Sequence, residues 1–279
     1  MNAPLTRYGL PQPTCDEREG RALYGDAFTP EEMARWFANE EAGYHALATT
    51  IYQGAADDPF ESLHSDAYHF YRHLAGKTWT TCLAFGCADA KDVEVLAPRV
   101  GKFIAIEPAR AWWRDAIGGK PARFMAPRSD GRIDLPDGSV DLVTVYSVLH
   151  HIPNVTAVVG ELARVLRRGG QMLLREPAVS MGDFTQPRVG LTAHERGIPP
   201  HLLEAMFAAN GLKILRRAPM RVGAFAKLLG TLRLNANSAL AVRVDAALSR
   251  VLGFNMRYWR RSLRDKLGPA TMTYILEKD

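Results

Sequence analysis

The sequence is poor in the residues that build cross-linked or metal-stapled domains. Its 279 residues include three cysteines, Cys15, Cys82 and Cys87, which are too few for a disulfide framework. No cluster of cysteines and histidines has the spacing of a zinc site, so no metal is predicted. These features predict a reduced, cytoplasmic environment.

Long apolar runs are missing as well. No uninterrupted apolar stretch reaches about 18 residues, which argues against a membrane-spanning helix. The first residues, MNAPLTRYGLPQPTCDEREG, contain no apolar core of the kind that a secretory signal needs. With 47% hydrophobic and 23% charged residues, the chain is long enough for one large domain, or for one domain with an appendage.

Charge is unevenly distributed along the chain. The net charge is +5, yet the stretch from Lys213 to Lys266 holds thirteen lysines and arginines against two acidic residues. Within it, residues 222–266 are predicted to form a basic helical insertion with interspersed apolar residues. Such a segment can cover a sheet edge, rest on an anionic membrane surface or meet an anionic substrate. No nucleic-acid module is recognisable, so no nucleic-acid partner is expected.

From residue 79 onward, short apolar runs alternate with helical segments, and the last run closes the chain. This alternation predicts a Rossmann-like α/β fold, with a mostly parallel seven-stranded sheet and helices on both faces. Two of the intervening helices are predicted at 89–100 and 109–119. The principal runs read as strands are WTTCLAFG, KFIAIEP, ARFMAP, VDLVTVYSVL, QMLLREP and TMTYILEKD.

Residues 1–76 are predicted to form a helical cap or lid over a main domain that spans 77–279. A capping-box pair, Thr29 and Glu32, precedes helically spaced apolar residues. A second helix is predicted at 65–76, closed by its terminal glycine.

The first strand is followed by GCADA, residues 86–90, where nucleotide-binding loops usually carry two or three glycines. Small residues let the main chain approach a ligand, and Ala88 and Ala90 are expected at negative φ because a Cβ resists the left-handed region. Glu107 closes the second strand 21 residues after Gly86. A carboxylate there can accept hydrogen bonds from both ribose hydroxyls, so the loop and the acid together predict a nucleoside site.

Asp89 and Asp92 stand at the start of the helix predicted after this loop. Their carboxylates would disfavour the pyrophosphate of a dinucleotide, which is best held by a glycine-rich turn at a helix N-terminus. The pattern therefore favours a cofactor that lacks phosphates and carries a positive sulfonium.

Four ordered segments, the second and third of them (DLPDGSVD and the following LHH) within one stretch, carry a resemblance to a known family over roughly residues 78–217. CLAFGCADA resembles the first loop of class I S-adenosylmethionine-dependent methyltransferases of the small-molecule type, which tends to read VLDVGCGTG. DLPDGSVDLVTVYSVLHHIPN and ELARVLRRGGQMLLREP resemble the segments around that family's fourth and fifth strands. This chain departs from the family at Ala84, where an acid is usual, and at Ala88 and Ala90, which replace glycines.

The resemblance implies a role for six residues in binding S-adenosylmethionine. Gly86, Cys87 and Ala88 would line the methionine moiety, Glu107 would bind the ribose, Pro108 would face the adenine, and Asp130 would accept from its exocyclic amine. Ser129 is a rival for the last role.

Two segments are candidates for the acceptor side of the pocket. His150 and His151 follow the fourth strand, and His151 is predicted to be a catalytic base, because histidine titrates near neutrality. The alternative is that it only hydrogen-bonds the loop. In GLTAHERGIPP, His194 and Arg196 are predicted to bind substrate, with Arg196 gripping an anionic group; a capping and salt-bridge role is the alternative.

The sequence thus predicts a methyltransferase that uses S-adenosylmethionine and acts on a small-molecule or glycan-type acceptor. One alternative is a nucleotide-dependent Rossmann oxidoreductase, which the final strand argues against because methyltransferases carry an extra antiparallel strand there. The other is a methyltransferase-like binding protein without catalytic activity.

Overall fold

The structure, a computed structural model, describes residues 5–50, 71–235 and 238–279, and its centre is a sheet of eight strands. The strands are β1 (Trp79–Phe85), β2 (Val100–Ile106), β3 (Ala116–Ile117), β4 (Lys120–Met125), β5 (Val140–Tyr146), β6 (Leu166–Pro177), β7 (Leu212–Val222) and β8 (Pro269–Lys278). Their order across the sheet is β3-β4-β2-β1-β5-β6-β8-β7.

Seven α-helices flank or precede these strands in the described residues. They are α1 (Cys15–Glu19), α2 (Pro30–Thr50), α3 (Lys91–Glu94), α4 (Val155–Val165), α5 (Pro200–Ala209), α6 (Gly223–Thr231) and α7 (Ala239–Val251).

The pairing of the strands confirms the predicted fold class. Neighbouring strands from β4 through β2, β1 and β5 to β6 run parallel, and β8 lies antiparallel between β6 and β7. The sheet has eight strands where seven were predicted, because β3 forms a two-residue antiparallel hairpin on β4. Gly118 and Gly119, with φ of +53° and +75°, make the turn of this hairpin.

Both faces of the sheet are buried, as a parallel sheet requires. Along β1, Leu83 and Phe85 pack into one apolar cluster with residues of α4 and α5. Cys82 and Ala84, which alternate with them, pack into a second cluster on the other face, together with Val93 of α3. The alternation follows from the two-residue period of a strand.

The two helices predicted after the first and second strands are wrong in extent. The region 89–100 contains the four-residue α3 and a 3-10 turn at Ala97–Arg99, which includes a proline. The region 109–119 contains a 3-10 turn at Arg110–Trp112 and then β3. Trp113 leaves that turn in an extended conformation, and its indole N–H donates to the carbonyl of Glu107 at 2.9 Å. The loops that follow β1 and β2 are therefore largely irregular.

The start of α2 confirms the capping box predicted from the sequence. Glu32 accepts from the Thr29 main-chain N–H at 2.8 Å, and the Thr29 hydroxyl accepts from the Glu32 N–H at 3.3 Å. Of the helix predicted at 65–76, residues up to 70 lie outside the described residues; the remainder is a 3-10 turn, Tyr71–Leu74, followed by Gly76 at φ +77°. The cap boundary at residue 76 stays a prediction.

The basic insertion contains α6 and α7, and α7 packs against β7. The Asp245 carboxylate accepts from the main-chain N–H groups of Arg221 and Val222 at 3.0 and 2.9 Å. The insertion exposes large apolar side chains, among them Leu232, Leu240, Phe254 and Leu263. Contact with an anionic membrane or substrate stays a prediction. Among the described residues, every helix is too short or too polar to cross a bilayer.

Candidate active site

The loop after β1 touches the turn after β5 through Gly86. Gly86 has φ +65°, and a Cβ added to it would lie 2.5 Å from a methyl carbon of Val148. Glycine is required here both for its backbone conformation and for this close approach. The contact joins the predicted cofactor loop to the turn that carries the two neighbouring histidines.

Ala88 and Ala90 adopt left-handed conformations, with φ of +43° and +58°. The expectation of negative φ is therefore wrong: the loop keeps the shape in which the family uses glycine, although each residue has a Cβ. An alanine in this region is strained by about 1–2 kcal/mol. Ala88 is exposed, whereas Ala90 is buried at the start of α3.

Glu107 directs its carboxylate into this loop. One oxygen accepts from the Ala88 N–H at 2.8 Å and the other from the Ala109 N–H at 2.9 Å. Burial raises the pKa of Glu107, and the two main-chain bonds only partly counter that rise. Each carboxylate oxygen can accept more than one hydrogen bond, so the group keeps capacity for the hydroxyls of a ribose.

The other residues predicted to bind cofactor differ in their surroundings. Cys87 is half-buried, and burial raises the pKa of its thiol to about 12. Pro108 is exposed next to Glu107. Asp130 is exposed and paired with Arg128, whose hydrogen bond lowers the pKa of Asp130 to about 2. Contacts of these residues with a cofactor stay predictions.

The turn after β5 is held by Glu176, at the end of β6. One carboxylate oxygen accepts from the main-chain N–H groups of Val148 and Leu149, both at 2.8 Å. The other lies 2.8 Å from Nδ1 of His150. Only 1% of Glu176 is exposed, so these bonds form away from solvent and hold the turn and the His150 ring in one orientation.

His151 is held by α2. Its Nδ1 lies 2.7 Å from an oxygen of Glu40, and its carbonyl accepts from the indole N–H of Trp36 at 2.7 Å. Burial opposes charge on both side chains of the His151–Glu40 pair, but the hydrogen bond between them has the larger net effect on their pKa values. It leaves the pKa of His151 raised and that of Glu40 lowered. The pKa of His150 is lowered by burial and by the neighbouring His151.

Thr192 and Glu195 complete this cluster from the loop between β6 and α5. The Thr192 hydroxyl contacts Glu40 at 2.7 Å and Glu195 at 3.1 Å, and its main-chain N–H donates to Glu195 at 2.7 Å. The second Glu195 oxygen lies 3.8 Å from Nε2 of His150. His150, His151 and Glu195 each offer one ligand atom within 4.8 Å of the other two, so this trio can hold a metal ion.

Arg196, predicted to grip a substrate anion, is fully buried and bonded to main chain. Its guanidinium donates to the carbonyls of Tyr24, His150, Ile152 and Pro153 at 2.5–3.2 Å. These bonds fasten the N-terminal segment to the turn after β5. Most of its N–H donors are therefore used by main-chain carbonyls, which argues against the predicted substrate contact.

His194 is enclosed by residues of the N-terminal segment. Its ring stacks on Trp36 at 4.3 Å and meets the edge of Tyr8 at 4.8 Å, and its Nε2 lies 3.1 Å from the Asn39 amide nitrogen. Burial lowers the pKa of His194 to about 4. Only 1% of the residue is exposed, so the structure places it inside a packing contact, and substrate binding by it stays a prediction.

Sequence reasoning missed the contributions of Glu40 and Thr192. Glu40 is 111 residues from its partner His151, and Thr192 is 41 residues from it. No motif in the neighbouring sequence points to Glu40 or Thr192. Both are polar side chains that the folded chain buries, and only this burial indicates a role for them.

Comparison with known proteins identifies the domain that holds these loops. Residues 83–174 match the family model described as a methyltransferase domain. These residues match a methyltransferase domain, and the match lies within the stretch 78–217 that resembles that family in sequence. The resemblance predicted from the sequence is thereby confirmed.

Solved structures share the fold of the methyltransferase domain at low sequence identity. The [4+2]-cyclase SpnF matches with a TM-score of 0.54 and 15% identity, covering 86% of this chain and 96% of that one. The N-methyltransferase NodS of Bradyrhizobium japonicum WM9, solved with S-adenosylhomocysteine, matches at 0.52 and 14%, covering 86% and 98%. A 1,6-didemethyltoxoflavin N1-methyltransferase of Burkholderia thailandensis matches at 0.51 and 12%, covering 90% and 92%.

One curated relative matches part of the chain. An uncharacterized 37.1 kDa protein in transposon TN4556 of Streptomyces fradiae is 26% identical over 189 residues, covering 62% of this chain. The chain spans about half the length of that relative, since the match covers 51% of it.

Proposed function

We propose that this protein transfers a methyl group from S-adenosylmethionine to a small-molecule or glycan-type acceptor. The observation that carries the proposal is the position of Glu107, whose carboxylate points into the Gly86–Ala90 loop and contacts the Ala88 N–H at 2.8 Å. That is where the ribose of a nucleoside cofactor would meet a charged acceptor. The family match over residues 83–174 supports the same cofactor.

The donor side fits a cofactor without phosphates better than a dinucleotide. Helix α3 has only four residues and no side-chain cap at its start, so it offers little dipole to a pyrophosphate. Asp89 and Asp92 add negative charge beside it. The antiparallel β8 also disfavours the oxidoreductase alternative, because a Rossmann oxidoreductase is expected to lack such a late antiparallel strand.

The acceptor side adjoins the donor loop through Val148, which contacts Gly86 and lies three residues before His151. S-adenosylmethionine supplies an electrophilic methyl carbon, and the protein's task is to hold the acceptor atom in line with it. His151, fixed by Glu40 at 2.7 Å, stays the proposed catalytic group at the acceptor. Cytoplasmic location and any contact of the basic insertion with an anionic surface also stay proposals.

Calorimetric titration with S-adenosylhomocysteine tests the donor site without an acceptor. The wild-type protein should bind, and Glu107→Ala should lose about 1–3 kcal/mol of binding free energy because charge-assisted hydrogen bonds to the ribose are removed. Glu94→Ala is the matched control, since Glu94 is an exposed glutamate on the neighbouring α3.

Unchanged affinity in Glu107→Ala would remove this carboxylate from the donor site. Absence of heat with wild-type protein at millimolar ligand would favour the non-catalytic alternative. Binding of NADH or NADPH in the same cell would favour the oxidoreductase.

A further inference from the structure

We propose that His150, His151 and Glu195 bind a divalent transition-metal ion, for which Zn²⁺ is the reference. One ring nitrogen from each histidine and one oxygen from Glu195 lie within 4.8 Å of one another. Two atoms bound to one tetrahedral ion at about 2.0–2.2 Å lie roughly 3.3–3.6 Å apart, so the ligand atoms would have to move together by up to about 1.5 Å when the ion binds. The 3.8 Å between His150 Nε2 and Glu195 is already close to this separation.

Both histidines have the outer partner that metal-binding histidines usually have. Nδ1 of His150 contacts Glu176 at 2.8 Å, and Nδ1 of His151 contacts Glu40 at 2.7 Å. A proton on Nδ1 donated to a carboxylate leaves the lone pair of a neutral imidazole on Nε2. Such carboxylate partners orient the ring and raise its basicity as a ligand.

The third ligand is oriented in the same way. One oxygen of Glu195 accepts from the Thr192 N–H at 2.7 Å and lies 3.1 Å from the Thr192 hydroxyl, whose single proton is closer to Glu40 at 2.7 Å. The other oxygen faces His150. Glu195 is 8% exposed, His150 is 4% exposed and His151 is partly buried. The surrounding protein therefore restricts the positions of these side chains.

The charge of the cluster is compatible with a bound cation. Three buried carboxylates, Glu40, Glu176 and Glu195, lie around two histidines. Within the described ranges, their ion-pair partners are the histidines and not lysine or arginine. Arg188 and Arg196 donate to main-chain carbonyls, but their positive charges also act on these carboxylates from nearby. A dication would add to this pairing, since buried negative charge is unfavourable unless it is paired.

The ligand types select the class of ion. Imidazole with one carboxylate suits Zn²⁺, Fe²⁺ or Co²⁺, whereas Mg²⁺ and Ca²⁺ prefer oxygen ligands alone. Three protein ligands also leave a coordination position for a further group, as in catalytic rather than structural sites.

A consequence for the reaction rests on the proposed function. A hydroxyl or thiol of the acceptor can fill the remaining position, where the positive charge lowers its pKa and its proton leaves to water. The oxygen or sulfur then forms its bond to the methyl carbon while the carbon–sulfur bond of the sulfonium breaks. In this arrangement His151 serves as a ligand, which replaces its predicted role as base.

Zinc titration of the chelator-stripped full chain, without any methyl donor, tests the site. Calorimetry with ZnCl₂ should show one saturable ion per chain, and Co²⁺ should give visible absorption typical of nitrogen and oxygen ligands. Glu195→Gln should weaken zinc binding at least about tenfold by removing the charged ligand, and Glu176→Gln should weaken it about 10–100-fold through His150. His201→Ala and Glu94→Gln, at exposed positions, should bind zinc as the wild type does.

Absence of saturable zinc binding by the folded wild-type chain would overturn the proposal, and protonated His151, with Arg188 and Arg196, would then supply the cluster's positive charge. Zinc binding of undiminished affinity in folded Glu195→Gln would also overturn it. If Glu176→Gln fails to fold, the change in the Co²⁺ spectrum between wild type and Glu195→Gln decides the ligand set. S-adenosylhomocysteine binding, measured separately, reports on the proposed function independently of this result.

Discussion

The Gly86–Ala90 loop, proposed to bind the methyl donor (the donor loop), and the cluster around His150 and His151, proposed to face the acceptor (the acceptor cluster), lie next to each other but are built in opposite ways. The donor side uses two short segments on neighbouring strands, and its buried carboxylate, Glu107, is satisfied by main-chain N–H groups. The acceptor cluster draws side chains from four separated segments: Glu40, the turn at 149–151, Glu176 and the loop at 192–196. The donor loop therefore presents main-chain groups to a ligand (a backbone cradle), whereas the acceptor cluster is a network of buried side chains.

This difference predicts different consequences of mutation. A backbone cradle changes little when one side chain is removed, so substitutions there should affect ligand affinity more than folding. A buried network of charges and hydrogen bonds couples its members, so substitutions there should affect folding, chemistry or both. Variants in each region, measured for both stability and ligand binding, separate these effects.

The largest effect is expected from Arg196→Ala, which should lower the free energy of unfolding by about 3–5 kcal/mol. The substitution leaves buried carbonyls without a hydrogen-bond donor, including those of Tyr24 and His150, and it opens a cavity beside Trp36. Denaturant unfolding measures the change. Arg243→Ala, at an exposed position on α7, is the control and should stay within about 0.5 kcal/mol. A small effect at Arg196 would mean that the N-terminal segment is not fastened to the turn after β5.

The next prediction concerns His151→Ala, which should lower turnover on the order of a hundredfold or more. Affinity for S-adenosylhomocysteine should not change, because His151 contacts Glu40 and Thr192 rather than the donor loop. Labelled methyl donor with a panel of hydroxyl and thiol acceptors measures turnover. Equal losses of turnover and donor affinity would show that the two regions are not separate, and an unaltered rate would show that His151 is structural.

The same contrast explains what the sequence could and could not predict. The fold class, and the position of Glu107 at the end of the second strand, could be predicted because strand periodicity and the spacing from Gly86 to Glu107 are local signals. The helices at 89–100 and 109–119 were overpredicted because short irregular loops can carry helix-like apolar spacing. The role of Arg196 was missed because only the folded chain brings the Tyr24 carbonyl to its guanidinium, across 172 residues.

The smallest predicted effect tests the shape of the donor loop itself, through Ala88→Gly. Glycine removes the strain of φ +43°, about 1–2 kcal/mol, while freeing the unfolded chain by about 0.5–1 kcal/mol, so the protein should gain roughly 0.5–1 kcal/mol. Ala90→Gly is the matched comparison. Ala90 has a similar φ of +58° but is fully buried, so the lost methyl packing, about 0.8 kcal/mol, should cancel the gain. Thermal unfolding of both variants decides the matter: equal changes would mean that burial of Ala90 contributes nothing, and destabilisation by Ala88→Gly would mean that the loop does not hold its left-handed shape in solution.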